Sequence, residues 1–350
     1  MTIRAGLIGY GLAGKVFHAP LIDAVDGVTL AAVMTSRAGE LAADWPEARA
    51  VADAAAIIDD PAIDLVVIAS PNDTHAPLAR AALDAGKHVV VDKPLAGDAA
   101  TARAIVNCAR ERGRTLAPFH NRRWDGDFLT VRALVEAGTL GTLRLAELRW
   151  DRFRLEQRAG WKDAEGRGGG ILADLGPHLL DQALLLFGEP DALQADLATQ
   201  RAGGATDDYA EVTLHYGTMR VIVSATMAVA APRPRFALHG TGGSFVKYGV
   251  DPQEQQLRDG ITPGAAGYGA DAAGYGADAA ARYGTLTAPS GATRRIATED
   301  GDYRRFYESV VAAIRDGAPP PVDPADAVTG LALIDLARTS AAEGRRLAAG

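Results

Sequence analysis

A single cysteine, Cys108, stands among 350 residues, so an internal disulfide framework is excluded. It lies in Ala102-Arg103-Ala104-Ile105-Val106-Asn107-Cys108-Ala109, which reads as a helix with no His or Lys beside the thiol, and a buried, inert side chain is predicted. No apolar run approaches the length of a membrane span, and Thr2 to Ile8 runs straight into a glycine-rich turn with no room for a cleavable leader. A reducing cytoplasm is the expected location. Positive charge is also in short supply. The 36 Lys and Arg against 44 Asp and Glu give a formal net charge of -8, and the basic residues are scattered, which argues against nucleic acid as a partner. No His/Cys/Asp cluster has ligand spacing, so no metal is expected.

What is present divides the chain in two, as its length requires of a hydrophobic core. Residues 3 to about 118 alternate short apolar runs with alanine-rich helical stretches, the pattern of a parallel sheet covered on both faces. Strands are predicted at Ala5–Ile8, Val28–Met34, Leu65–Ala69, His88–Val91 and Thr115–Pro118, with a helix from Thr74 to Ala85 stopped by Gly86. After Trp124 the texture changes. A helix near Asp127–Ala137 precedes alternating segments at Leu143–Phe153, Ala192–Gln200, Tyr209–Tyr216, Met219–Ala228, Phe236–His239 and Ser244–Lys247. These lie too close together for crossover helices and predict an antiparallel or mixed sheet. The expected architecture is α/β: a doubly wound Rossmann domain over residues 1–123, then an α/β domain over 124–350 on an open, mostly antiparallel sheet. Its open face is expected to be covered by another subunit, giving a homodimer or homotetramer. Helices at Tyr303–Asp316 and Asp323–Ala342 are expected to pack back on the core. Gly267 to Ala273 recurs unchanged as Gly274 to Ala280, which reads as a duplication enlarging a surface loop.

Three groups of residues carry chemistry. Gly9-Tyr10-Gly11-Leu12-Ala13-Gly14 follows an apolar strand and opens a helical pattern, the context in which Gly-x-Gly-x-x-Gly holds a dinucleotide. Past the second strand stands Met34-Thr35-Ser36-Arg37, where an NAD enzyme would place a carboxylate on the ribose. Ser36 and Arg37 can instead donate to a 2′-phosphate, which favours NADP over NAD; a solvated arginine is the plainer alternative. Lys93, in Val89-Val90-Val91-Asp92-Lys93-Pro94, ends an apolar run where an open parallel sheet gathers its ligands. Finally, Gly168-Gly169-Gly170 precedes Asp174 and His178, four apart and able to share one helix face. The imidazole could accept the proton released when an alcohol becomes a ketone. Equally, Asp174 could be an N-cap and His178 a satisfied core histidine.

The glycine fingerprint, Ser70-Pro71-Asn72-Asp73-Thr74-His75, Asp92-Lys93-Pro94, and Asp174 with His178 resemble the Gfo/Idh/MocA oxidoreductase family over nearly the whole chain. The resemblance implies Lys93, Asp174 and His178 around the substrate carbon beside nicotinamide. The family's Glu before the lysine is Asp92 here, which keeps the charge and shortens the reach. Cofactor contacts are implied at Gly9, Gly11, Leu12, Ala13, Gly14, Ser36, Arg37, Ser70, Pro71, Asn72, His75, Asp92, Lys93, Trp161 and Lys162. Phe119-His120-Asn121-Arg122-Arg123-Trp124-Asp125, Asp151-Arg152-Phe153-Arg154 and Trp161-Lys162 resemble more narrowly the NADP-dependent scyllo-inositol dehydrogenase branch. There Asn121, Arg122, Asp125 and Arg154 could contact a polyol beside Lys93, Asp174 and His178, or could form an ion-pair network bracing the domain. Three alternatives stay open: reduction of another keto-sugar or carbonyl compound, dinucleotide sensing without turnover, and glycoside hydrolysis by transient oxidation.

Overall fold

The computed structural model describes residues 2–157, 169–263 and 274–350. It divides into two compact units, one comprising residues 1–121, 253–275 and 302–329 and the other 122–252, 276–301 and 330–350. Trp161, Lys162, Gly168 and the first copy of the duplicated segment lie outside the described residues.

In the first unit six parallel strands are ordered β3-β2-β1-β4-β5-β6: β1 (Ile3–Ile8), β2 (Val28–Met34), β3 (Arg49–Val51), β4 (Leu65–Ile68), β5 (His88–Val91) and β6 (Leu116–Pro118). β4 is buried at all its positions and β5 at Val89, Val90 and Val91, as expected of strands covered on both faces. The covering helices are α1 (Ala19–Asp23), α2 (Ala38–Asp44), α3 (Ala55–Ile58), α4 (His75–Asp84) and α5 (Ala99–Arg112). α1 is reached through a π-helical turn, Ala13–His18. Asp98 caps α5, its Oδ1 accepting the Thr101 N–H at 2.8 Å, and Gly113 ends it in the left-handed conformation.

The second unit is built on α6 (Gly126–Glu136), α7 (Ile171–Phe187) and a nine-stranded sheet. Its strands are β7 (Leu143–Asp151), β8 (Ala192–Ala198), β9 (Tyr209–Tyr216), β10 (Met219–Thr226), β11 (Phe236–Gly240), β12 (Gly243–Lys247), β13 (Gly284–Thr287), β14 (Thr293–Ile296) and β15 (Leu347–Ala348). They are ordered β14-β13-β12-β11-β7-β10-β9-β8-β15. The pairings are antiparallel except for β7 with β10, which run parallel. Alternation sets the two faces: Ala210, Val212 and Leu214 of β9 are buried, while Glu211, Thr213 and His215 between them are half-buried on the other side. α7 packs against β7, β9 and β10.

The first unit takes back α8 (Gln253–Arg258) and α9 (Arg304–Asp316). A further helix, α10, covers Pro324–Glu343. On α9, Phe306 and Tyr307 are fully buried, and the Phe119 ring meets Phe306 edge-on at 4.8 Å. The Gln253 Oε1 accepts the Tyr303 N–H at 2.9 Å, which ties α8 to the start of α9.

The second copy of the duplicated segment corrects the surface-loop expectation. Tyr275 is buried edge-on to Tyr303, with ring centroids 6.5 Å apart. Asp278 forms a 2.7 Å ion pair with Lys247, their side chains 2% and 1% exposed, so a charge from this copy is structural. Small residues hid the burial because the two that carry it, one aromatic and one acidic, are isolated among Gly and Ala.

His18, at the end of the π-helical turn, is completely buried between Phe119 and Tyr307. Its Nδ1 and the Tyr307 hydroxyl are hydrogen-bonded at 2.7 Å, and its Nε2 has no hydrogen-bond partner among the described residues. Burial drives the imidazole down from the ordinary 6.5 to about 4, against the opposing charge of Asp92. The unfolded chain therefore takes up a proton below pH 6.5 that the folded chain refuses until about pH 4, so stability falls as pH drops through that window. A shift of this size corresponds to about 3 kcal/mol. Equilibrium unfolding followed from pH 7 to 4 should show a shallower loss of stability in His18→Asn than in the parent; identical slopes would rule out His18 as the titrating group.

Candidate active site

The fingerprint turn after β1 shows a distinct role for each glycine. Gly9 has φ +104°, and a Cβ there would sit 2.7 Å from the Ala69 carbonyl oxygen at the end of β4. At Gly14 a Cβ would collide with the Gly9 carbonyl oxygen, so the helix can approach the strand only without a side chain. Gly11 has nothing within 4 Å of its Cβ position, which leaves its backbone open to a ligand. Leu12 and Ala13 continue the turn, with Leu12 exposed. This is a cradle that fits a dinucleotide diphosphate.

Beyond β2, the Thr35 hydroxyl accepts the Arg37 N–H at 2.9 Å and holds the loop, with Ser36 exposed between them. The Arg37 guanidinium lies 5.8 Å from the Tyr10 ring centroid and donates to the Tyr10 carbonyl. Lys15 comes to the same place, 5.8 Å from the ring, and pairs with Asp44 at 2.8 Å and Glu40 at 3.2 Å. Tyr10 donates from its hydroxyl to Asp44 at 2.7 Å; burial and that carboxylate hold the phenol protonated. The sequence reading named Ser36 and Arg37 but not Tyr10 or Lys15, whose roles depend on the helix turning back beside β2.

After β4, the Ser70 and Thr74 hydroxyls are hydrogen-bonded at 2.6 Å, and Thr74 donates to the Pro71 carbonyl at 2.7 Å. Asn72 is buried in the turn Asn72–Thr74. Both ring nitrogens of His75 face carbonyl oxygens, Nδ1 that of Pro94 at 2.7 Å and Nε2 that of Ser70 at 2.9 Å. His75 thus ties the loop after β4 to the loop after β5. In that second loop the Asp92 carboxylate accepts the Lys93 N–H at 2.8 Å, and the Lys93–Pro94 peptide is cis. Lys93 lies immediately beyond the carboxyl end of β5, on the same edge of the sheet as the glycine turn.

In the second unit Asp174 and His178 share α7, with Pro177 inside the helix and Gly170 as its N-cap residue. The cap comes from a residue the sequence reading missed. Asp207 receives the Leu172 N–H on its carboxylate at 2.7 Å and the Ile171 N–H on its carbonyl at 2.8 Å. Burial raises the Asp207 carboxyl, the helix N–H groups opposing. No local pattern could have linked Asp207 to a helix so far upstream. Asp174 is therefore not the cap; it lies in the first turn with Arg152 Nη1 3.8 Å away. His178 is buried with its ring 6.4 Å from Trp150. Around Trp150 stand two guanidinium groups, Arg122 at 4.8 Å and Arg235 at 5.0 Å from the ring centroid. Arg122 lies 3.6 Å from Asp125, and both side chains are buried. Gln182 joins these parts, donating to the Arg122 carbonyl at 3.0 Å and accepting from Arg235 at 2.6 Å. Arg123, beside Arg122, forms a two-pronged pair with Asp181 at 2.9 and 2.5 Å. Arg154 rests against Met227, and Asn121 is buried at the end of the first unit's leading segment.

Among the described residues no group of three or more His, Cys, Asp or Glu could hold a metal ion, and no helix is long and apolar enough to cross a membrane.

Comparison with known proteins bears on this arrangement. Residues 3–120 match the family model described as an oxidoreductase family with an NAD-binding Rossmann fold, and residues 132–348 match that family's C-terminal alpha/beta domain. The chain is 44% identical to the uncharacterized oxidoreductase YdgJ of Escherichia coli, covering 97% of this chain and 96% of the relative. It is 38% identical to the scyllo-inositol 2-dehydrogenase (NADP(+)) IolW of Bacillus subtilis, over 99% of this chain and 96% of that one. The solved structure of the oxidoreductase yvaA from Bacillus subtilis superposes with a TM-score of 0.94 at 38% identity, covering 99% of this chain and 98% of that one. A glycine turn built for a dinucleotide, a lysine at the sheet's carboxyl edge and matches across both units agree: this chain belongs to the Gfo/Idh/MocA oxidoreductase family.

Proposed function

We propose that this oxidoreductase interconverts a ring hydroxyl of a cyclic polyol, of the scyllo-inositol type, and the corresponding ketone, using NADP. The observation that carries the reading is Lys93 directly beyond β5, on the edge of the parallel sheet where the turn after β1 leaves Gly11 open. The Bacillus subtilis relative named as an NADP(+) enzyme acting on scyllo-inositol supports the substrate class. The absence of a carboxylate in Thr35-Ser36-Arg37, with Arg37 held beside Tyr10, supports NADP.

Nicotinamide, when bound, supplies the hydride acceptor in oxidation and the donor in reduction. Gly9, Gly11, Leu12, Ala13 and Gly14 hold the diphosphate through backbone groups, and Ser36 with Arg37 takes the 2′-phosphate. Ser70, Pro71 and Asn72 border the dinucleotide, while His75 and Asp92 brace the two loops that carry it. His178 accepts the hydroxyl proton, Lys93 donates a hydrogen bond to the same oxygen, and Asp174, held by Arg152, orients the pair. Asn121 and Arg154 contact the remaining hydroxyls. The burial of Arg122 and Asp125 favours bracing of Trp150 for those two. We also infer that the protein is a homodimer or homotetramer. Light scattering on the purified protein checks this, and a monomer at micromolar concentration would refute it.

The activity is tested by absorbance at the reduced-nicotinamide band with inositols and sugars. Lys93→Met and His178→Ala should each abolish turnover while NADP binding persists; full activity in both would sink the assignment. Arg37→Ala should raise the KM for NADP about tenfold, as expected for loss of a charge-assisted hydrogen bond, and leave the KM for NAD unchanged. An equal effect on both would remove Arg37 from 2′-phosphate recognition.

A further inference from the structure

A pocket of about 380 Å³ opens at the hairpin end of β9 and β10, lined by Asp191, His215, Gly217, Arg220, Arg346 and the two residues of β15 with Ala192. It lies wholly in the second unit and contains none of the residues assigned to cofactor or polyol.

Its charges are unusual for an acidic chain. Arg220 bonds only to main chain, its Nη1 donating to the carbonyls of Gly217 and Met219 at 2.8 Å each, and no carboxylate lies within ion-pair distance among the described residues. Arg346 is exposed and has no ion-pair or hydrogen-bond partner among the described residues. Its neighbour Arg345, by contrast, pairs with Glu343 at 2.6 Å. Asp191 is the pocket's acidic residue, and its Oδ2 accepts the Gly217 N–H at 2.6 Å. Both ring nitrogens of His215 are buried and lack hydrogen-bond partners among the described residues. Burial lowers the His215 pKa and both arginines lower it further, which favours the neutral ring with its one N–H donor. Buried polar atoms ordinarily find a partner, and two unneutralised guanidinium groups favour one that is anionic.

We propose that this pocket binds a small phosphate monoester, with Arg220 and Arg346 contacting the phosphoryl oxygens and His215 donating the third hydrogen bond. The volume falls within the range of small-metabolite sites and exceeds what a phosphate group fills, leaving room for the attached organic moiety. With the Asp191 carboxylate counted, the lining keeps a net positive charge, and guanidinium offers the bidentate geometry that a phosphoryl group takes.

The test is an NMR titration of the full-length protein with glycerol phosphate and with inorganic phosphate, reading the His215 ring C–H resonances assigned through His215→Asn. Chloride at matched ionic strength is the control. A saturable shift is expected that Arg346→Ala weakens about tenfold, from loss of a hydrogen bond to a charged group, and that Arg345→Ala and Arg37→Ala leave intact. Retention in Arg37→Ala separates this pocket from the proposed 2′-phosphate site, so either assignment can fail alone. Tighter binding of glycerol phosphate than of inorganic phosphate supports the monoester class; equal affinity would overturn the part assigned to the organic moiety. No saturable shift, an equal response to chloride, or full binding by Arg346→Ala would overturn the site itself.

Discussion

A Cβ on Gly14 would occupy the space of the Gly9 carbonyl oxygen, and the first unit depends on that missing atom. Because the helix can close onto β1, the turn between them leaves Gly11 facing open space, and Tyr10 is carried to where Arg37 and Lys15 meet it. The same constraint operates across the sheet: at Gly9 any side chain would press on the main chain at the end of β4. The carboxyl edge is thus assembled from backbone at close range. His75 then adds polar ties between the loops after β4 and β5, placing the Lys93 backbone at a defined point. Precision of this kind suits the role proposed for Lys93, because positioning errors translate steeply into lost rate.

The second unit solves a different problem, that of placing charges beneath a buried helix. Arg235 is completely buried, and burial lowers its pKa while Asp127 and Asp125 oppose the shift. Its charge is accommodated by the faces of Trp150 and Phe236 and by Gln182. Replacing such a group by apolar side chains often costs little, whereas removing one partner of a buried set costs several kcal/mol, about 3–5. The network therefore acts as an orienting device for α7: Gln182 and Asp181, near the middle of that helix, are held by Arg235, the Arg122 carbonyl and Arg123. Asp174 and His178 lie one to two turns before them, so their direction is set by a polar layer rather than by apolar packing alone.

Periodicity exposed the larger elements. β2, β5 and β9 have the expected bounds because their apolar spacing is uninterrupted and their ends coincide with turns or loops. β3, β13, β14 and β15 were missed: Arg49–Val51, Gly284–Thr287, Thr293–Ile296 and Leu347–Ala348 are too short or too polar to show alternation, and they become strands by pairing at or next to the sheet edges. Among candidate site residues, the glycines, Arg37, Lys93, Asp174 and His178 could be named from the sequence because each is marked by local spacing. Asp207, Arg235 and the buried Asp278 were not, since each acts on a partner remote in sequence.

By itself, then, the order of amino acids determined what is local: strand and helix periods, the glycine turn, the lysine at a strand end, and a carboxylate and imidazole one helical turn apart. The tertiary structure decided which polar groups are buried and what satisfies them. It assigned the α7 cap to Asp207 instead of Asp174, placed Arg122 and Asp125 in a layer around Trp150, and joined His18 to Tyr307. The physical reason is that backbone propensity and amphipathic period extend over a few residues, whereas desolvation acts on whatever the folded chain brings alongside, at any separation.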